Sequence, residues 1–225
     1  MGNKTYKKYD FAVIATDVAL FTVRDNLLQV LLIKMKKEPY TGKWAMPGGL
    51  VKPDESVDSA AERVLQEKGG IQNVYLEQLH TFGRVDRDPF GRVVSVAYTA
   101  LVPSAKLSLK TTEEYSNIAW FPVKSAPVLA YDHKEVLATA VERLRAKLGY
   151  TTIAQNLLPK EFTLSELQNI YEVVLGKKLD KRNFRKKILA VGLVKSTGKE
   201  RRGGANRPAE LYTFQAKQLK TVEIL

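Results

Sequence analysis

The run PGGLVKPDESVDSAAERVLQEKGGI, residues 47–71, is the most constraining stretch of this chain. It joins a Gly-Gly turn to a helical segment over roughly residues 55–68. Charged and apolar positions along it sit at fixed spacings: Gly49, Glu55, Arg63, Leu65, Glu67, Gly70 and Ile71. Positions separated by three and four residues share one face of a helix. Counted from residue 64, that face carries Val64, Glu67 and Lys68: one apolar side chain, one carboxylate and one ammonium. Mg²⁺ takes several hard oxygen ligands, and this face offers one. Glu62 does not replace the missing carboxylates, because at about 100° per residue it lies on roughly the opposite side of the helix from Val64.

Around this helix the pattern is β-rich. The runs FAVIATDVALF, LLQVLLIKM, NVYLEQLHTFG and RVVSVAYTALV read as strands, followed by NIAWFPV and then by DHKEVLATAVERLRAKLG, a helix with Asp132 as its cap and Gly149 as its stop. That is α+β organisation, helices packed on a mixed sheet. Residues 151–160 lack periodicity and include Pro159, which predicts a linker between a first domain over 1–150 and a second over 161–225. In the second, Thr163 caps a helix with an apolar face of Leu167, Ile170, Tyr171 and Val174, and Gly176 ends it. Asp180 caps another helix, KRNFRKKILAV, which Gly192 ends. The strand-like runs LVKST and AELYTF follow, joined by the basic GKERRGGANRP. Helix, turn, helix and β-wing are the parts of a winged helix-turn-helix.

Charge is unevenly spread between these parts. Residues 151–225 hold 15 Lys and Arg against 7 Asp and Glu, which is +8 of the chain's formal net charge of +12. Such a surface favours a polyanion, with nucleic acid before an acidic membrane. On the basic helix, Arg182 and Lys186 lie opposite the apolar Phe184, Ile188 and Val191, with Asn183 and Arg185 flanking them. That face suits a major groove, where Arg reads guanine, Asn reads adenine and Lys holds phosphate. Arg201, Arg202 and Arg207 of the wing would take backbone or minor groove, and Gly203 and Gly204 let the wing approach closely. A merely solvated face remains the alternative for any one of these residues. No cysteine is present, no apolar run reaches membrane-spanning length and no signal peptide is evident, so a cytoplasmic protein without membrane attachment is expected.

Two features of the first domain suggest a small-molecule site. Asp17 stands in a strand apolar on both faces, where an ionised group is costly unless paired. It is read either as a structural acid or as a hydroxyl-binding group on a cleft floor. The loop GRVDRDPFGR offers Arg84, Arg87 and Arg92 for phosphates, Asp88, and Phe90 to stack on a base. Trp44 is read as core rather than as a ligand platform.

The Gly49–Ile71 pattern resembles the Nudix box, G-x5-E-x7-R-E-U-x-E-E-x-G-U with U apolar, in which three glutamates hold the Mg²⁺ used for hydrolysis. Here Val64 and Lys68 replace two of them, so the resemblance implies a degenerate, non-catalytic box with no metal and no cofactor. Together with RVDRDPFGRVVSVAYTAL, FTLSELQNIYEVVLGKKLDKRNFRKK and NRPAELY, the chain resembles the Nudix-related transcriptional regulators of the NrtR family over nearly its whole length. This implies a Nudix-type α/β/α sandwich with a mixed sheet, followed by a small winged helix-turn-helix domain.

The resemblance further implies a homodimeric repressor on a palindromic operator, with an effector that alters the spacing of the two winged helices. Loss of the metal favours a sugar such as arabinose as that effector, with Asp17, Arg87 and Asp88 as its site, and ADP-ribose is the alternative effector, because the arginine-bearing loop can bind phosphate without metal. The competing reading is a Nudix hydrolase acting on ADP-ribose or a related nucleoside diphosphate, carrying a nucleic-acid-binding module. An RNA-binding adaptor is a third.

Overall fold

The computed structural model describes residues 11–104, 115–202, 208–215 and 221. Its first part is built on strand β1 (Val13–Arg24), which runs parallel to β6 (Val93–Leu101) along one edge. The other edge of β1 is shared. Its early residues Ala15 to Asp17 pair with β4 (Gly48–Leu50), and Phe21 to Arg24 pair with β2 (Leu27–Met35). Asp25 and Asn26 make the tight turn between β1 and β2, both at positive φ, 53° and 56°. Short polar side chains tolerate that conformation, and its twist suits an antiparallel hairpin.

Away from this turn β2 diverges from β1 and pairs instead with β3 (Trp44–Ala45), β7 (Tyr115–Pro122) pairs with β2 from Gln29 to Met35, and β5 (Tyr75–Phe82) closes the far edge against β6. The sheet therefore forks, and the fork leaves a cleft. A helix covers each face, because alternate residues of a strand point to opposite sides. Val18 and Leu20 pack with Ala61, Val64 and Leu65 of α1 (Val57–Gly69), whereas Ala19 and Phe21 share a core with Val136, Ala140 and Leu144 of α2 (His133–Tyr150). The arrangement is the mixed-sheet sandwich expected from the sequence.

Both helices differ from expectation at their ends. Helix α1 starts later, at Val57, with the Ser56 hydroxyl accepting from the Ser59 N–H, and its last residue precedes a left-handed Gly70. Asp132 does precede α2 but gives it no side-chain cap, and the helix passes through Gly149 to Tyr150. The reason lies in the cleft, where the Asp132 carboxylate is used otherwise. The segment read as a linker holds a short 3-10 helix, Ile153–Leu157, whose Ile153, Ala154 and Leu157 are buried. These side chains belong to one apolar cluster with Leu144 and Leu148 of α2 and with Leu164, Leu167 and Tyr171 beyond.

The second part is a winged helix-turn-helix. Helix α3 (Leu164–Leu175) carries a full capping box, in which the Thr163 hydroxyl accepts from the Glu166 N–H and the Glu166 carboxylate accepts from the Thr163 N–H. A cap of this kind is worth about 1 kcal/mol. Gly176 ends α3 in the left-handed region, φ 71°, and Asp180 caps α4 (Lys181–Ala190) by accepting from the Asn183 N–H. Tyr171 meets Phe184 edge-on, with ring centroids 5.3 Å apart, which locks the two helices together. Strands β8 (Val194–Arg201) and β9 (Ala209–Phe214) form the antiparallel wing, and Phe162 bridges to Tyr212 to tie the wing back to the start of α3. Among the described residues no helix is long and apolar enough to cross a membrane.

Candidate functional site

Where β1 and β2 part, a cleft of about 520 Å³ opens. One wall is the Gly48–Leu50 strand backed by Lys68, the floor is Ala15, Asp17 and His133, and the loop Asp88–Arg92 forms the lip with Tyr115 and Tyr131. Its size falls in the range of pockets that enclose drug- or nucleotide-sized ligands.

Gly48 is required by its closeness to β1, while Gly49 stands at ordinary contact distance from α1. A Cβ on Gly48 would stand 2.2 Å from Asp17 Oδ1 and 2.9 Å from the Thr16 carbonyl oxygen; one on Gly49 would meet Val64 at 3.4 Å and the Lys68 ammonium at 3.8 Å. Lys68 reaches the cleft beside these glycines. There its ammonium donates to the Gly48 carbonyl and the Tyr115 hydroxyl, 4.7 Å from the centre of the Tyr115 ring.

The remaining box residues form a clamp. Arg63 donates to Glu55 at 2.9 and 2.6 Å, to Glu67 at 3.0 Å and to the Leu50 carbonyl at 3.0 Å. These bonds, joined by the Lys52 N–H, draw the Glu55 carboxyl down to about 2. Val64 is wholly buried in the core under Gly49. Residues 64, 67 and 68 thus supply a methyl surface, a carboxylate committed to arginine and a cation. They do not fit a divalent metal. Among the described residues no group of three or more His, Cys, Asp or Glu gathers in a way that would hold one.

Asp17 is at the cleft floor, as its hydroxyl-binding reading requires, yet its carboxylate is already engaged. Oδ2 accepts from Arg87 at 3.0 Å and from Ser95 at 2.6 Å, and Oδ1 lies 3.2 Å from His133 Nε2. His133 Nδ1 accepts from the Met46 N–H at 2.9 Å, which places the ring proton on Nε2 facing Asp17. Burial acts to raise the Asp17 pKa, but His133, Ser95 and Arg87 together hold it well below the usual carboxylate range.

Arg87, expected to bind effector, lines the cleft but is engaged within the protein. It is buried, and besides Asp17 it donates to Asp132 through Nε at 2.9 Å and Nη2 at 2.8 Å. A guanidinium shared by two carboxylates is a structural tie. Neighbouring loop residues divide differently. Asp88 caps the loop by accepting from the Phe90 N–H at 2.8 Å, Arg84 pairs with Asp86 in solvent, and Arg92 and the 73% exposed Phe90 line the mouth. Trp44 is half-buried against Phe121 and belongs to the core. Ser95, Asp132 and His133 were missed as partners of Asp17 and Arg87, Asp132 being read as a helix cap, and Lys68, read from the sequence as a lost metal ligand, lines the cleft.

On the winged helix, α4 buries Phe184 and Ile188 and exposes Lys181, Arg182, Asn183, Lys186 and Lys187. Arg185 departs from the exposed set, since it is half-buried and donates to Ser165 on α3 at 3.3 Å. Arg201 is exposed but drawn toward α3 by Glu166 at 2.6 Å, and Arg202 is exposed. Arg207, Gly203 and Gly204 lie outside the described residues.

Comparisons with known proteins match both parts. The family model for the NUDIX domain covers residues 14–144, and that for the NrtR DNA-binding winged helix domain covers residues 154–214. The ADPR responsive transcriptional repressor NtrR of Acinetobacter baylyi is 39% identical over 93% of this chain and 85% of its own length. Among solved structures, Shewanella oneidensis NrtR complexed with a 27mer DNA is similar with a TM-score of 0.79 and 36% identity, covering 90% of this chain and 93% of that one. The NUDIX domain of the same Shewanella oneidensis protein complexed with ADP ribose gives a TM-score of 0.53 and 34% identity over 62% of this chain and 94% of that one.

Proposed function

We propose, from the premise that this chain belongs to the NrtR family of Nudix-related transcriptional regulators, that it is an ADP-ribose-responsive repressor acting as a homodimer on a palindromic operator. The observation that carries the effector reading is the cleft at the fork of the sheet. It is nucleotide-sized, Lys68 and Arg92 bring positive charge to it, and the exposed Phe90 ring stands at its mouth, ready to stack on a base. A pentose would leave much of that volume empty. The sugar reading also asked Asp17 to accept hydroxyl donors, and both of its oxygens are already engaged. The Acinetobacter relative, named as responsive to ADPR, and the ADP ribose complex of the Shewanella domain support the same choice.

DNA binding rests on α4. Its outer face presents Arg182, Asn183 and Lys186 while the opposite face is anchored in the core, and the wing stands beside it. Hydrolysis is not part of this function: Lys68 stands where a carboxylate would be needed, and Val64 is core.

The test is fluorescence anisotropy with a duplex that the protein selects from a random pool, titrated with and without ADP-ribose. Saturating ADP-ribose should weaken operator affinity by about tenfold or more, within the usual range of allosteric coupling. Arabinose should leave it unchanged. Release by arabinose with ADP-ribose inert would sink the effector assignment, and failure to enrich any duplex would sink the regulator.

A further inference from the structure

We infer that Lys68 is a built-in replacement for the divalent ion, so that the cleft binds the diphosphate of its ligand without metal and without cleaving it. This rests on the ADP-ribose reading for the ligand's identity but not for its chemistry, which is that of any compact diphosphate.

Three observations converge on it. Lys68 is fixed in the cleft wall, its ammonium anchored by the Gly48 carbonyl and the Tyr115 hydroxyl. Gly49 of β4 lies beside that ammonium, where a Cβ would stand 3.8 Å from it. Glu67, its neighbour on α1, is turned to Arg63 at 3.0 Å instead of to the cleft. Arg92 is the second cation of the lining outside the buried network, because Arg87 is already shared by Asp17 and Asp132. A diphosphate spanning Lys68 and Arg92 would have a cation at each phosphate.

The chemistry separates an ammonium from a metal ion. Both neutralise phosphate oxygens, but an ammonium acts by hydrogen bonds and charge and does not generate a hydroxide nucleophile as a Lewis-acidic metal does. Replacing carboxylate and ion by one lysine keeps the affinity for a diphosphate and removes the attack on it. For a sensor this matters, since a ligand that is consumed reports its own destruction rather than its concentration.

The experiment is isothermal titration calorimetry of the full chain with ADP-ribose, ADP and inorganic pyrophosphate, each in EDTA and in excess Mg²⁺. Affinity for ADP-ribose should agree within about twofold in the two buffers. Lys68→Met should weaken it by roughly ten- to a hundredfold, as expected for loss of a charged hydrogen-bond donor, while Lys68→Arg keeps most of it. Thermal melting and operator affinity show that each variant is folded; if Lys68→Met is not, Lys68→Gln takes its place. Wild-type binding that requires Mg²⁺, or unchanged affinity in the folded lysine-free variant, overturns the inference and leaves the ADP-ribose reading standing. Lys68-dependent, EDTA-insensitive binding of pyrophosphate or ADP with no binding of ADP-ribose would do the reverse. No binding of any diphosphate overturns both.

Discussion

Arg87 donates twice to Asp132, through Nε at 2.9 Å and Nη2 at 2.8 Å, although 45 residues of sequence separate the two. The pair fastens the loop over the cleft to the residue that leads into α2, and Asp17 completes it from β1 at 3.0 Å. Three elements meet at one guanidinium with little solvent.

Removing that guanidinium leaves two buried carboxylates without the cation they share. Arg87→Met should therefore destabilise the protein by about 3–5 kcal/mol, the cost of breaking a buried ion pair from one side. Urea unfolding of the variant checks this, and a loss below about 1 kcal/mol would show that the network is solvated in solution.

Asp17→Asn acts on the same network, and its effect should be on stability first. The folded pKa of Asp17 is depressed below its ordinary 3.8 despite burial, because His133, Ser95 and Arg87 favour the anion. A depressed carboxylate contributes stability above its unfolded pKa and loses it as pH falls through the folded one. The stability difference between wild type and Asp17→Asn should hold steady from neutral pH down to about pH 5 and shrink only in stronger acid. A difference that already collapses between pH 7 and 6 would contradict the assignment.

Restoring the box is expected to fail structurally. Val64 is fully buried among Val18, Leu20 and Leu65, under Gly49. A glutamate there is desolvated without a partner, so Val64→Glu should cost about 2 kcal/mol or more, whether or not Lys68→Glu accompanies it. A double variant as stable as wild type, with Mg²⁺-dependent release of AMP from ADP-ribose, would refute this.

The outlines of both parts were legible because periodicity and punctuation encode them locally. Thr163, Gly176, Asp180 and the continuous apolar run of β1 each fix a conformation through residues a few positions apart. The cleft was legible only in part. That Asp17 needed a partner followed from its apolar strand, but the partners come from residues 87, 95 and 133, and nothing local marks them. Arg87 looked like a ligand-binding arginine because a loop full of charge gives no sign of which side chain turns inward. Asp132 looked like a cap for a similar reason: its position suits capping, and the tertiary bond to Arg87 takes its carboxylate.

On α4 the exposed and half-buried cations should behave differently. Lys186→Ala should weaken binding to all duplexes and lower the salt dependence by about one charge, while Asn183→Ala should mainly relax preference at one base pair, costing roughly 1–3 kcal/mol there. Arg185→Ala should instead loosen α4 against α3, since its guanidinium reaches Ser165. Melting temperature and salt-dependent anisotropy separate the three. Equal losses on specific and random duplexes for Asn183→Ala would remove it from base readout.

Helix α2 joins the cleft to the winged helix. It begins beside Asp132 and His133 on the cleft floor, and twelve residues beyond His133 Arg145 donates through Nε to the Val174 carbonyl in the last turn of α3, at 3.0 Å. A ligand that shifts the floor network can bias α3 through this rod only if it binds the DNA-competent and DNA-incompetent states unequally. Arg145→Met removes the polar tie while keeping much of the packing stem, and neither the cleft nor the outer face of α4 loses a residue. We expect ADP-ribose affinity of the free protein and operator affinity without ligand to stay within about twofold, and the factor linking them to fall toward one. The four legs of the cycle are measured by titrating ligand with and without operator, and operator with and without ligand. An unchanged factor would mean that coupling travels through the apolar contact of Leu144 and Leu148 with the α3 cluster, and Leu148→Ala would then be the variant that uncouples the two sites.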